Sequence, residues 1–368
     1  MRPRTQGTRR QARSAITVED LRARIDAVDG ALVRLLNQRI RLASRIGRLK
    51  AGSRSEVYVP AREKEVLSRV KRLNRGPISD VALQAVYREI MSGSLARESP
   101  VRVAYLGPPA TCVHEAALGR FGNSVAYVPC GTVKAVFDAV ETGAANYGVA
   151  PTADSVDGAG AWTAICFLQS PLKICAEIWA PVSHHLISRG ASAGIRRIYG
   201  HPRALSQCQH WLNNRLPDAE RVPAASTARA AEQAGEEKGA GAIGGELAAK
   251  LHGLTIRSSA IGSGFAEAAR FLVVSRKHGK PSGDDKTSIL FTAGSEPGNL
   301  CRILEAFKRY RVNVVGVESL ADRENAGRIH LWLDVTGHEA DGQVSKALAR
   351  AFTVCGSARV LGSYPNAR

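Results

Sequence analysis

The sequence predicts three folds in series: an all-α segment, a two-lobed α/β segment, and an α+β ferredoxin-like segment. Three observations carry this. Residues 17–50 form one helical apolar pattern without proline. From residue 101 short apolar strands alternate with helices. From residue 285 the order is strand, helix, strand, strand, helix, strand, the split β-α-β unit.

The 368 residues are enough for two or three domains. A composition of 44% hydrophobic and 23% charged residues predicts a soluble globular protein. No apolar run approaches the roughly 20 residues of a membrane span, and no secretory core is visible near the start. The seven cysteines are scattered without a CxxC pair. They read as reduced cytoplasmic thiols, neither a disulfide framework nor a zinc site. The nine histidines show no metal spacing. A net charge of +18 points to small anionic ligands or to nucleic acid. With 5% aromatics and no recognition motif, nucleic acid is the weaker reading. Residues 1–15, with Arg2, Arg4, Arg9, Arg10 and Arg13 and no acid, predict a disordered basic tail or a short transit peptide.

The helical segment spans residues 16–98. Leu21, Ile25, Val28, Leu32, Leu35, Leu36, Leu42, Ile46 and Leu49 recur mostly at three or four. Thr17 with Asp20 predicts the N-cap, and Gly52 the stop. At about 1.5 Å per residue this helix is roughly 50 Å long, so it predicts a partner chain. Arg39 and Lys50 fall on one face, about 16 Å apart and offset by ~20°. Arg22 lies roughly 100° round from Arg39 and over ~20 Å away. If all three serve anionic ligands, Arg22 serves a different copy of the site. A solvated basic face gives the same charge pattern. Pro60 predicts the start of a second helix, with Arg62 and Glu63 in its first turn. Ser79 caps a third, which sets Ile90, Ser94 and Glu98 four apart on one face.

Arg22, Arg39, Lys50, the Pro60-to-Glu63 turn, Ser94 and Glu98 in this order resemble the all-helical chorismate mutase domain. The resemblance implies a helix-swapped dimer in which Arg22 reaches the partner's site. It implies that Arg22 and Arg39 grip the substrate carboxylates, with Arg62 and Ser94 assisting. Lys50 then donates to the breaking ether oxygen, and Glu63 accepts from the ring hydroxyl. The rearrangement of chorismate is concerted, so no nucleophile, metal or cofactor is expected. Holding the compact conformer is an orientation effect worth several kcal/mol, and a fixed donor at the ether oxygen adds about 2.7–4 kcal/mol. Glu98 stands where members of the family often carry Gln. It donates to the ether oxygen only when protonated, so mutase activity is expected to fall as pH rises. Val59 replaces an acid found before this turn in some members.

Residues 101–280 read as two α/β lobes with an inter-lobe cleft. The second lobe is predicted from about Pro171, and the chain to return toward the first at the AGAIG strand. YLGP, Thr111, Asp154-Ser155, YGHPRALSQC, Ser226-Thr227, GAIG and RFLVV resemble a prephenate dehydratase domain. Thr111, Ser155, Ser226, Thr227 and Arg270 are the implied prephenate-binding residues. The site motifs depart from the family. GPxGTFS is here Gly107-Pro108-Pro109-Ala110-Thr111-Cys112-Val113, PIENS is Pro151-Thr152-Ala153-Asp154-Ser155, and NxTRF is Glu267 to Phe271 with Ala269 in place of Thr. That Thr is the implied proton donor to the departing hydroxyl. Ala269 cannot donate, and a lost acid costs ~10²–10⁴ in rate. Dehydration that is weak, absent or replaced by non-aromatising decarboxylation is therefore expected, or a site that only binds. His201 is a lone loop histidine, solvated or recruited.

Residues 285–368, in that position, resemble an ACT regulatory domain, which binds amino acids between paired copies. Gly298, Asn299, Leu300, Glu318 and Ser319 match the places implied for a phenylalanine effector; a purely dimerising sheet is the alternative. The linkers fall near 97–100 and 277–285. The expected protein is a cytoplasmic homo-oligomer, at least a dimer, joining a mutase, a dehydratase-type domain and an ACT domain. A nonenzymatic ACT-containing scaffold is the rival of a different class.

Overall fold

The computed structural model describes residues 16–51, 58–98, 100–152, 160–262, 268–293, 297–321, 329–355 and 357–367. They fall into two bodies, one holding the first helix and one holding everything from Tyr58 onward.

The first body is α1 (Val18–Ala51). Its start is the expected capping box. The Thr17 amide and hydroxyl donate to Asp20 Oδ2 at 3.0 and 2.8 Å, and the Asp20 amide donates back to Thr17 Oγ1 at 3.1 Å. These bonds hold the Asp20 carboxyl below its ordinary pKa. Ile25, Val28, Leu32, Leu35, Leu42 and Ile46 are half or more exposed. This helix therefore carries an uncovered apolar stripe.

The second body begins with α2 (Pro60–Leu73) and α3 (Asp80–Glu98), which pack together. Pro60 opens α2 at its first position, and the Ser79 hydroxyl accepts the Ala82 amide to cap α3. The first α/β sheet follows: β1 (Arg102–Leu106), α4 (Cys112–Phe121), β2 (Ala126–Cys130), α5 (Val133–Glu141), β3 (Tyr147–Pro151), α6 (Gly160–Gln169) and β4 (Lys173–Pro181). The second lobe runs through β5 (His185–Ser188), β6 (Arg197–Gly200), α7 (Pro202–Gln207), α8 (Gln209–Arg215), β7 (Glu220–Pro223), α9 (Thr227–Glu236), β8 (Ala240–Gly244), α10 (Glu246–Leu251) and β9 (Thr255–Ser258). The chain then returns as β10 (Ala268–Ser275).

The sheets are ordered β2-β1-β3-β10-β4 and β7-β6-β8-β5-β9. Two points differ from the sequence reading. Lys173–Pro181 is the edge of the first sheet, because it pairs along its length with β10. The AGAIG strand stays in the second lobe between β6 and β5, so the return is made by β10.

The third sheet comprises β11 (Asp285–Ala293), α11 (Asn299–Arg309), β12 (Val314–Ala321), β13 (Ile329–Thr336), α12 (Gly342–Phe352) and β14 (Ser357–Pro365). Its order, β12-β13-β11-β14, is the expected ferredoxin-like arrangement. It docks on the first sheet with almost no clearance. A Cβ on Gly362 would fall 2.1 Å from the Ile174 carbonyl oxygen. Leu290, Trp332, Leu361 and Tyr364 join Phe167, Leu172, Ile174 and Leu272 in one apolar cluster. Within this seam Arg270 donates to Glu177 at 2.9 Å and Tyr364 at 2.8 Å and pairs with Asp334 at 2.5 Å, while Lys286 donates to Glu177 at 2.9 Å.

Candidate functional sites

The helical segment distributes its expected site residues over both bodies. Arg22 and Arg39 ride on α1. Arg62 opens α2 and pairs with Glu65 at 2.5 Å. Ser94 is buried on α3, its hydroxyl donating to the Ile90 carbonyl at 2.9 Å. Glu63 is 9% exposed and turned toward α4. Its Oε2 accepts from Tyr58 Oη at 2.9 Å and lies 3.1 Å from Arg120 Nη2. Arg120 Nε in turn donates to Tyr58 Oη at 2.6 Å. Tyr58 and Arg120 carry no signal in the sequence, since they meet across 62 positions. Of the other expected residues, the side chains of Lys50 and Glu98 and all of Ser155 lie outside the described residues.

Between the two lobes lies a cleft of about 520 Å³. Leu106, Thr111, Thr132, Lys134, Trp162, Cys166 and Ser226 line it. Thr111, Thr132 and Ser226 are the N-caps of α4, α5 and α9, each accepting a first-turn amide. Three helix amino termini thus open on one space, which favours an anion there. Thr111 and Ser226 both line this cleft. Thr132 is not among the expected residues, although Gly131-Thr132 before the apolar repeat of Val133, Val136, Phe137 and Val140 is a helix-start signature. Trp162, 59% exposed, has no comparable local signal. Thr227 is the first residue of α9.

Arg270 is placed elsewhere. It is 5% exposed, and its guanidinium is committed to Glu177, Asp334 and Tyr364 in the seam to the third sheet. The motif order makes it an expected ligand, since it follows Ala269. Alternation in a strand sends adjacent side chains to opposite faces. Ala269, 1% exposed, joins the cluster of Tyr105, Val113 and Ile178.

The turn before Thr111 is under local tension. Ala110 has φ 70°, a left-handed conformation that Gly adopts freely and Ala does not. Its amide donates to His114 Nδ1 at 3.1 Å, and the His114 ring stacks 4.4 Å over Tyr105. Burial lowers the His114 pKa, which keeps the ring neutral and able to accept. Across the lobes, Glu115 Oε1 accepts the Leu247 amide at 3.0 Å. In the third sheet, Gly298 takes φ 84° before α11, Asn299 accepts from Arg302, and Leu300 is 40% exposed. Glu318 faces the seam beside Thr152, Thr163 and Trp332, and Ser319 follows it on β12.

Comparison with known proteins matches residues 21–99 to the family chorismate mutase type II and residues 103–279 to the family prephenate dehydratase. A bifunctional chorismate mutase/prephenate dehydratase of Aquifex aeolicus is 40% identical over 355 residues, covering 95% of this chain and 98% of that protein. Its counterpart in Stutzerimonas stutzeri is 36% identical, covering 94% and 97%. A crystal structure of the Arthrobacter aurescens prephenate dehydratase in complex with L-Phe superposes with a TM-score of 0.68 at 30% identity, over 73% of this chain and 90% of that one. The ordered mutase residues, the two-lobed cleft and an alignment along nearly the whole length agree: the chain belongs to the family of bifunctional chorismate mutase/prephenate dehydratases.

Proposed function

We propose that two copies of the chain build each mutase site together and deliver prephenate toward a dehydratase-type cleft that lacks the family's acid. Chorismate is isomerised to prephenate by holding its two carboxylates and stabilising charge at the breaking ether. Arg39, Arg62 and the partner copy's α1 hold the carboxylates, Lys50 and protonated Glu98 donate to the ether oxygen, and Glu63 accepts from the ring hydroxyl. Ser94 assists. The uncovered apolar stripe of α1 supports the shared dimer. No described helix is long and apolar enough to cross a membrane. The reading makes the protein a cytoplasmic enzyme of aromatic amino acid synthesis.

Prephenate, a dianion, suits the cleft at Thr111, Ser226 and Thr227, with Ser155 as a further contact. The observation that carries this reading is the convergence of three capped helix amino termini on a space of about 520 Å³. Ala269 leaves the departing hydroxyl without its donor, so binding outlasts dehydration. The third sheet acts as an ACT domain. Its fold supports this, as does the L-Phe held by the Arthrobacter aurescens relative. Phenylalanine at Gly298 to Leu300 and Glu318-Ser319 is the effector that this implies.

One reaction tests the whole. Purified protein is given chorismate, and products are identified without acid, which itself converts prephenate to phenylpyruvate. Accumulating prephenate is the expected result. Phenylpyruvate would mean that the Ala269 lesion is bypassed, and a decarboxylated, unaromatised product would mean a converted cleft. Unconsumed chorismate would overturn the mutase and leave a scaffold.

A further inference from the structure

We propose that Arg120 and Tyr58, which lie outside the mutase motif, are positioning residues for mutase chemistry through Glu63. This rests on the reading of Glu63 as the acceptor of the ring hydroxyl. Arg120 stands in the last turn of α4, a helix of the dehydratase-type domain, and Glu63 in the first turn of α2. The two are joined by a closed triangle. Arg120 Nη2 reaches Glu63 Oε2 at 3.1 Å, Arg120 Nε donates to Tyr58 Oη at 2.6 Å, and Tyr58 Oη donates to Glu63 Oε2 at 2.9 Å.

Two of the three contacts end on Oε2 and the third ties their donors together, while Oε1 carries no hydrogen bond among the described residues. A carboxylate pinned at one oxygen by a cation and a phenol presents the other at a fixed angle, which is what a hydroxyl acceptor requires. The clamp is itself rigid. The Tyr58 ring is 3% exposed, with centroids 4.9 Å from Phe121 and 5.2 Å from Tyr147, both in the first α/β lobe. The acid of one activity is thus oriented by the domain of the other. A mere domain tie would need only a surface pair, such as Lys64 with Asp284 at 2.6 Å. This pair is instead placed on the expected substrate-contacting acid.

The test is a double-mutant cycle on the full-length protein, reading kcat and KM for chorismate beside thermal unfolding. Tyr58→Phe keeps the packed ring and removes only the hydroxyl, and Arg120→Met removes the cation. Each is expected to lower mutase kcat/KM by about 10-fold, with no comparable further loss when placed on Glu63→Gln. Arg120→Lys is expected to recover part of the Arg120→Met loss. Losses that multiply with that of Glu63→Gln would mean a structural tie and overturn the proposal. So would folded variants with wild-type kcat and KM. If Glu63→Gln itself leaves the mutase unchanged, the underlying role of Glu63 fails instead, and the two failures are told apart.

Discussion

The mutase segment and the dehydratase-type cleft offer an anion opposite kinds of partner. The first uses long cationic side chains on a helix whose apolar stripe is uncovered. The second uses short hydroxyl caps at helix amino termini, fixed by their own first turns. Charge on flexible side chains needs an assembled neighbour to orient it, whereas backbone dipoles are oriented as soon as the helix forms. On the function proposed above, the difference lets a cleft keep its pocket when residue 269 is Ala. The identity of residue 269 on β10 leaves the caps untouched, because Thr111, Thr132 and Ser226 each bond within their own first turn.

Five measurements break or sharpen this contrast. The largest is a gain. Ala269→Thr is expected to raise phenylpyruvate formation from prephenate by at least ~10²-fold, the lower bound for a restored acid. A flat result would show that the cleft has lost more than one hydroxyl. On the mutase side, Lys50→Ala is expected to lower kcat by about 10²–10³-fold, the cost of one transition-state donor, with the fold intact by circular dichroism. Third comes pH. Wild-type mutase activity is expected to fall with rising pH as Glu98 loses its proton, and Glu98→Gln is expected to level the profile. Rates of the two proteins compared at alkaline pH decide it.

The two smaller effects concern the framework. Gly362→Ala forces a Cβ against the Ile174 backbone and is expected to cost about 3 kcal/mol in urea unfolding. Ala110→Gly relieves the left-handed backbone before Thr111 and is expected to raise stability by about 1 kcal/mol, read as a higher unfolding midpoint.

Local chemistry made much of the fold legible. The Thr17 and Asp20 cap, the Pro60 start and the Ser79 cap lie where residue type and spacing put them, because each depends on neighbours within four positions. The βαββαβ order was legible for the same reason. Pairing across the chain was not. Lys173–Pro181 reads as the start of a new lobe until β10, far downstream, pairs with it. Arg270 reads as a ligand until the third sheet supplies Asp334 and Tyr364. Arg120 and Tyr58 were invisible because the pattern of a dehydratase helix says nothing about an acid on a mutase helix.

The apolar cluster shared by the first and third sheets has a consequence for how such a chain is inherited. Trp332 and Leu361 complete a core that Phe167 and Ile174 begin. A stop codon in the linker before residue 285 would therefore leave half an interior facing water rather than trim away an accessory module. A C-terminal domain borrowed from another gene would have to match this surface atom for atom, down to the missing side chain at Gly362. The fusion is held by its own packing, and sequence drift on either side of the seam is constrained by the other.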